Sequence, residues 1–351
     1  MSGARLPVAI LGATGTVGQK FIRLLEDHPW FEVAAVAASE RSAGRPYGEV
    51  VRWRESTPLP DRVARMVVAP CAPPLPGVIA FSAVEADLAP VIEQEFARAG
   101  VLVVTNTKSH RMVADVPLVI PEINAGHLSL LETQRARRGW SGGIVANPNC
   151  STAGLVLALA PLHAAFGVEK VFVSTMQAVS GAGYPGVSSL DILGNVIPYI
   201  GGEEQKIEEE TRKILGQASA EAPIVVSAHT SRVPTVDGHL EVASVGLSRR
   251  VTPEEAIEAL EGFRAPAQVA GLPSSPARPI EVDLRPDRPQ TRFDLGRGNG
   301  MTVTVGRVRP CPLLDLRFAL LSHNTIRGAA GAAIQNAELL VATGAVPRPA
   351  A

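Results

Sequence analysis

The chain of 351 residues has only three cysteines, Cys71, Cys150 and Cys311. A count so sparse and odd excludes a disulfide framework and favours a reducing compartment. No pair is spaced as C-x-x-C, so no thiolate zinc site is expected and no metal is assigned. Net charge is almost absent: Lys and Arg total 33, Asp and Glu 34, leaving −1. No bulk field then favours nucleic acid or an anionic membrane, and neither is expected as a partner. No apolar run approaches the roughly 20 residues that span a bilayer. The opening "MSGARLPVAILGATG" enters a strand and a glycine loop with no leader-like segment, so a soluble cytoplasmic protein is expected. Lysine is scarce, with Lys20, Lys108, Lys170, Lys206 and Lys213 accounting for all of it. Charge blocks are short. The acidic stretch from Glu203 to Glu210 is interrupted by Lys206 and Ile207 and reads as a solvated helix face.

Apolar residues, by contrast, make up 46% of the chain, enough at this length for two domains with sizeable cores. No internal repeat is visible. Near the start, Val8 to Leu11 forms a short apolar run, followed by Gly12, Gly15 and Gly18 as G-x-x-G-x-x-G. Val17, Phe21, Leu24 and Leu25 then recur at helical spacing, and Val33 to Ala38 reads as a second strand. Strand, glycine turn, helix and strand in about 30 residues predict a dinucleotide site, with pyrophosphate at the helix N-terminus. Gly12, Thr14, Gly15, Thr16 and Val17 are its expected phosphate-facing residues. After the second strand come Ser39, Glu40, Arg41, Ser42 and Arg45. Hydroxyls and guanidinium groups suit a ribose 2′-phosphate, which favours NADP(H) over NAD. The segments 77–84 and 100–108 read as later strands of the same sheet, placing Ser82 and Ala83 beside the cofactor. The loop from Thr105 to Arg111 carries Lys108 and Arg111, either as a solvated loop or as an anion site.

The chemistry is expected around "ANPNCSTAGLVLALAPL". Asn147-Pro148-Asn149 is turn chemistry, and an alanine-rich apolar run to about Phe166 predicts a helix. Cys150 therefore lies at or just before a first helical turn. The dipole and free N–H groups there are expected to lower its pKa, and those N–H groups can stabilise an oxyanion. A nucleophilic thiol needs a base. His239, seven residues after Arg232 across a proline-containing stretch and an Asp-Gly turn, is the candidate. His28, His110, His127 and His163 read as surface or cap residues, with the core a second possibility for His163. The stretch from Ser174 to Gly186 begins as an alternating strand. It ends in a loop whose four small residues, Ser180 to Gly183, let a flat ligand lie against backbone.

The stretches "GATGTVG", "SERSAG", "NPNCST", "QAVSGAGYPG", "NVIPYIGGEEQKIEEETRKIL", "HTSRVPTVDGH" and "NTIRGAAG" together resemble the aspartate-β-semialdehyde dehydrogenase family, in its archaeal and fungal branch. They run from residue 10 to beyond 325. The resemblance implies NADPH-dependent reductive dephosphorylation of L-aspartyl 4-phosphate to L-aspartate 4-semialdehyde, with inorganic phosphate released. Cys150 would form a thioester. His239 would take the thiol proton and later return one, and Gln177 would orient the acyl group. Arg232 would grip the substrate carboxylate and Glu203 its ammonium group. Lys206 and Arg111 would hold phosphate and substrate carboxylate, and Asn149 would lie beside the nucleophile, near the phosphate. Ser180, Gly181 and Asn324 would lie at the nicotinamide end of the cofactor. The loop at 105–111 departs from the family's usual wording, which leaves Arg111 a stronger match than Lys108.

The expected architecture is α/β: a Rossmann-type, doubly wound nucleotide domain with an α+β catalytic and dimerisation domain. The first is placed at 1–149 with a returning helix in 325–351, the second at 150–324. A homodimer, or a dimer of such dimers, is expected through the mixed sheet. Residues 262–294, rich in proline and arginine, are matched to an interface element, and the tail "AVPRPAA" is expected to fray. Malonyl-coenzyme A reductase and N-acyl-glutamyl-phosphate reductase are rivals on the same scaffold. Glu203 as an ammonium partner favours a free amino acid over both. A silent NADP-binding protein leaves Cys150, Gln177, Arg232 and His239 without purpose, and a cysteine–histidine hydrolase leaves the dinucleotide loop so.

Overall fold

The computed structural model describes residues 4–346; positions 347–351 of the expected fraying tail lie outside the described residues. The first sheet has six parallel strands: β1 (Leu6–Leu11), β2 (Phe31–Ala38), β3 (Ala69–Pro70), β4 (Ile79–Ser82), β5 (Leu102–Thr105) and β6 (Gly143–Ala146). Their spatial order is β3-β2-β1-β4-β5-β6, so the winding direction reverses between β1 and β4. A crevice opens beyond the strand ends at such a reversal, and ligands bind there. Four of the helices crossing over or following these strands are α1 (Thr16–Leu25), α2 (Ala89–Arg98), α3 (Leu130–Arg138) and α4 (Cys150–Phe166).

The second sheet is mixed, in the order β10-β11-β12-β9-β7-β8. Its strands are β7 (Val168–Gln177), β8 (Val225–Arg232), β9 (His239–Leu247), β10 (Ile280–Asp283), β11 (Val303–Pro310) and β12 (Leu316–Ser322). The helices α5 (Glu203–Leu215) and α6 (Pro253–Gly262) belong to the same half of the chain. After β12 a wide π-type turn, Ile326–Ala330, leads into α7 (Gly331–Ala342).

Two apolar clusters hold these layers. One joins Ala9, Leu11, Val103 and Ile144 of the first sheet, through Leu155 to Leu162 of α4, to Val171, Val173, Ala243 and Leu320 of the second. Every residue of α4 from Ser151 to Leu159 is buried, which explains why it is apolar on all sides rather than on one stripe. The other cluster packs Phe21, Ile22 and Leu25 of α1, with Ile334, Leu340 and Val341 of α7, on Val8, Ile10, Ile79 and Phe81. The expected strands of the first sheet and the Cys150 helix are therefore present, each within two residues of its expected start, whereas the strand expected from Ser174 begins six residues earlier, at Val168.

Four expectations about polar residues are corrected. Of the surface or cap readings, the surface one fails for His28, His110 and His127, which are buried, although His28 does cap a turn through the Trp30 and Phe31 amides. His28 bonds Glu338 at 2.7 Å, His110 lies 3.3 Å from Glu93, and His127 bonds Asn124 and the Gly216 carbonyl. The acidic stretch is not one solvated face either. Glu203, Ile207 and Glu210 are buried on one side of α5, while Glu204 is exposed. Among the described residues no helix is long and apolar enough to cross a membrane.

Candidate active site

Cys150 is the first residue of α4, and Asn149 is its N-cap. The Asn149 side-chain oxygen accepts from the amides of Ser151 (2.9 Å) and Thr152 (3.1 Å). The first-turn N–H groups expected to support a thiolate are thus already occupied. Burial then dominates, with the Glu203 carboxylate adding to it, and together they push the Cys150 thiol up to about 12 against the pull of Arg111 and Arg232. The expected depression is reversed for that reason.

His239 opens β9 and lies fully buried below the sulfur, its Nε2 at 3.2 Å from Sγ. Its Nδ1 accepts the backbone N–H of Ala178 at 3.1 Å. Burial and the Arg232 guanidinium bring its pKa down to about 3, so the ring is neutral near pH 7. Arg232, at the end of β8, donates one Nη1 bond to the Ala178 carbonyl at 2.8 Å and turns into the same cleft. Gly181 packs closely on these two, so a side chain there would have to displace the guanidinium. A Cβ there would lie 2.8 Å from Arg232 Nη1 and 3.2 Å from His239 Cε1.

The cleft over Cys150 encloses about 650 Å³ and brings together Arg111, Asn149, Glu203, Lys206 and Arg232, with Ser180, Gly181 and Asn324. Glu203 accepts from Lys206 Nζ at 2.9 Å and from Asn149 Nδ2 at 2.7 Å. Burial works against its charge, but Lys206 and Asn149 outweigh this and hold Glu203 below the usual carboxylate range. Arg111 pairs with Glu210 at 3.0 Å, and the other oxygen of Glu210 accepts the Asn149 amide at 2.6 Å. Glu210 was missed as part of this site. Its signal was the i, i+4, i+7 spacing of Glu203, Ile207 and Glu210, which puts all three on one helix face. Lys108 also lines the cleft, which places the 105–111 loop at the site.

Two expected residues are not brought to the opening. Gln177 is 1% exposed, and its amide bonds back to Thr175 Oγ1 at 3.3 Å. Ser82 is fully buried beside Glu93, so Ala83 and Val84 line the crevice instead.

A second cavity of about 660 Å³ adjoins the first through Ala83, Val84 and Glu85, and is lined by Gly12, Thr14, Gly15, Ser39 and Arg41. Thr16 and Val17 line the first. Ser42 lines neither. The pair of cavities fits a dinucleotide. The N-cap of α1, Gly15, offers no side-chain bond to the first-turn N–H groups, which leaves them for a pyrophosphate. Gly12 has φ of +77°, and a Cβ there would lie 2.4 Å from the Ala83 carbonyl oxygen, closing the crevice. Cys71 also lines this second cavity, which no sequence signal suggested.

Two family descriptions match the chain: "Semialdehyde dehydrogenase, NAD binding domain" over residues 7–131 and "Semialdehyde dehydrogenase, dimerisation domain" over 159–327. An aspartate-semialdehyde dehydrogenase of Archaeoglobus fulgidus is 50% identical over 342 residues, covering 96% of this chain and 98% of its own. The crystal structure of aspartate semialdehyde dehydrogenase with NADP from Candida albicans superposes with a TM-score of 0.90 at 41% identity, over 98% of this chain and 100% of its own. A Vibrio cholerae aspartate semialdehyde dehydrogenase II complexed with ASA gives 0.77 at 28% identity, over 96% and 98%.

Proposed function

Because the chain belongs to the aspartate-semialdehyde dehydrogenase family, with that activity and with NADP(H) as cofactor, we propose that Cys150 carries the reaction. The substrate is L-aspartyl 4-phosphate. The sulfur attacks the acyl carbon, phosphate leaves, and a thioester remains. Bound NADPH supplies the hydride that reduces the thioester. Collapse of the tetrahedral species releases L-aspartate 4-semialdehyde and returns the sulfur. In reverse the enzyme oxidises the aldehyde in a phosphate-dependent step.

One observation carries this reading. The Sγ–Nε2 contact of 3.2 Å lies at the floor of a cleft walled by Arg232, Arg111, Lys206 and Glu203. Arg232 keeps guanidinium donors beyond its Ala178 bond for a carboxylate. Glu203, held ionised by Lys206, suits an ammonium group. That favours a free amino acid over a coenzyme A thioester or an N-acylated substrate. Arg111 and Lys206, with Asn149, receive the phosphate. Gln177 turns from Thr175 toward the acyl oxygen when substrate fills the cleft. Gly12, Thr14, Gly15, Thr16 and Val17 hold the cofactor's pyrophosphate, Ser39 and Arg41 its 2′-phosphate, and Ser180, Gly181 and Asn324 its nicotinamide end.

The division of labour in this reading puts cofactor binding in 1–149 with 325–351 and catalysis in 150–324. The dimerisation domain forms a homodimer of this chain. Three free cysteines fit a reducing cytoplasm.

The test is the oxidative assay with aspartate semialdehyde, phosphate and NADP, run on wild type and Cys150→Ser. Phosphate-dependent NADPH formation is expected, falling by at least about 10³-fold in the variant. No turnover from protein that still binds NADP would retire the substrate assignment.

A further inference from the structure

One side of α5 carries Glu203, Lys206, Glu210 and Lys213 at spacings of three, four and three residues, which align them in a single stripe. The first two have roles in the reaction above. Glu210 and Lys213 have none, yet both reach the loop that carries Arg111. Glu210 is buried. Its Oε1 accepts from Arg111 Nη1 at 3.0 Å, and its Oε2 accepts the backbone N–H of Asn149 at 2.6 Å. Burial raises its pKa in spite of Arg111 and that amide, but both oxygens accept, as those of a carboxylate do. Lys213, one turn further on, donates to the carbonyl oxygens of Arg111 (2.6 Å), Val113 (2.9 Å) and Val116 (3.0 Å).

We propose that Glu210 and Lys213 are positioning residues for the phosphate step: they fix Arg111 at both ends, guanidinium and backbone, at a set distance from the turn that carries Asn149 and Cys150. The inference rests on the reading above, in which Cys150 is the nucleophile and Arg111 receives the phosphate. A single carboxylate spans the two partners. On one side it holds the cation that meets the anion, and on the other the backbone of the residue before the nucleophile. Arg111 makes a second fixed bond, from Nη2 to the Asn106 carbonyl at 2.7 Å, so the plane of its guanidinium is set before phosphate arrives. Donors held in place in this way need no reorganisation when the reacting group binds. The same helix also holds the side chain of Asn149, through Glu203 at 2.7 Å.

A plain buried ion pair would be built differently. A carboxylate that serves only to neutralise an arginine commonly takes two guanidinium N–H groups as a fork. Glu210 gives its second oxygen to the segment before the nucleophile instead. Lys213 spends all three of its donors on carbonyl oxygens, one of them that of Arg111 itself. Loosening either contact therefore affects phosphate capture first. The semialdehyde depends on Arg232 and Glu203, and NADP on the crevice of the first sheet.

The test is the steady-state oxidative assay with phosphate, aspartate semialdehyde and NADP varied in turn. Glu210→Gln keeps the shape but leaves one acceptor for two donors. It is expected to raise the KM for phosphate by at least about 10-fold, with kcat and the other two KM values moving much less. In an Arg111→Ala background the same substitution is expected to add less than about 2-fold, because its effect passes through Arg111. An unchanged phosphate KM, a loss of kcat that does not select phosphate, or equal increments in both backgrounds would overturn the proposal. Where Glu210→Gln is unfolded by circular dichroism and NADP binding, Lys213→Met carries the test. It removes the backbone clamp, leaves the buried ion pair in place, and is expected to raise the phosphate KM by about 5-fold or more. A wild-type phosphate KM there would also overturn the proposal. Phosphate-dependent NADPH formation by wild type, and its loss in Cys150→Ser, are untouched by these results, so this proposal and the assignment of the reaction fail separately.

Discussion

Glu241 lies two residues beyond His239 on the same face of β9, fully buried, and neither carboxylate oxygen has a hydrogen-bond partner among the described residues. Burial and the charge of Glu203 raise its pKa well above 4.5. The folded protein therefore keeps a proton that the unfolded chain releases from about pH 4.5 upward. Where the folded state binds more protons, stability falls as pH rises. Glu241→Gln removes this term while keeping shape. Urea midpoints at pH 6 and pH 9 should show the variant gaining on wild type, and gaining more at pH 9. Parallel pH dependence in the two proteins would sink the argument. Such a residue was not legible in the sequence, where a single glutamate in an alternating strand gives no sign of its face. Cys150, Arg232 and His239 were legible because turn chemistry, helix onset and spacing are local. The acidity of Cys150 was misread because it depended on where the Asn149 side chain went. His28, His110 and His127 were misread because each is buried against partners remote in the chain.

At the scale of elements, the start of α4 is set by contacts with chain almost 180 residues away. The wide turn Ile326–Ala330 presses Gly328 against the nucleophile. A Cβ on Gly328 would lie 2.6 Å from Cys150 Cβ and 2.8 Å from its Cα. Neither neighbour is the flexible end of a side chain, so one element must shift. Gly328→Ala is therefore expected to displace the sulfur and cut kcat by about 10²-fold, the scale associated with a 1 Å misplacement. The check is single-turnover acylation on protein shown by circular dichroism and NADP binding to be folded. Wild-type acylation would mean that the turn yields freely and does not position Cys150. The sequence foretold a helix after residue 325 and, by resemblance, its return to the nucleotide half. It did not foretell the π-type turn, because helical composition alone does not report which residue meets a neighbour.

At the scale of the whole molecule, the second sheet is covered on one face only. Val171, Val173, Ala228 and Ala243 point into the core, while Phe172, Val225 and Val242, alternating with them, are exposed. Period-two alternation predicts one wet face for such strands, yet these outward positions are large and apolar. Leu190, Leu193, Val196 and Tyr199 add exposed apolar surface in the segment before α5. Exposed apolar side chains gathered on one sheet face and in one neighbouring stretch of sequence point to a protein contact rather than a solvated surface. It falls in the region matched to a dimerisation domain. Phe172→Glu with Val242→Glu puts two like charges on that face without entering the core. Each residue lies one step from the other across the β7–β9 pair, where Ser174 faces Val242 and Phe172 faces Ser244. Sedimentation velocity should show the double variant as a folded monomer at concentrations where wild type is dimeric. A dimer of unchanged affinity would move the interface elsewhere, to the edge carrying β10 and the proline- and arginine-rich segment. Because β7 and β8 end at Gln177 and Arg232, a partner seated on this sheet would lie on the element that also carries the cleft. The monomer is accordingly expected to lose kcat more than NADP affinity, which the same preparation measures by fluorescence titration.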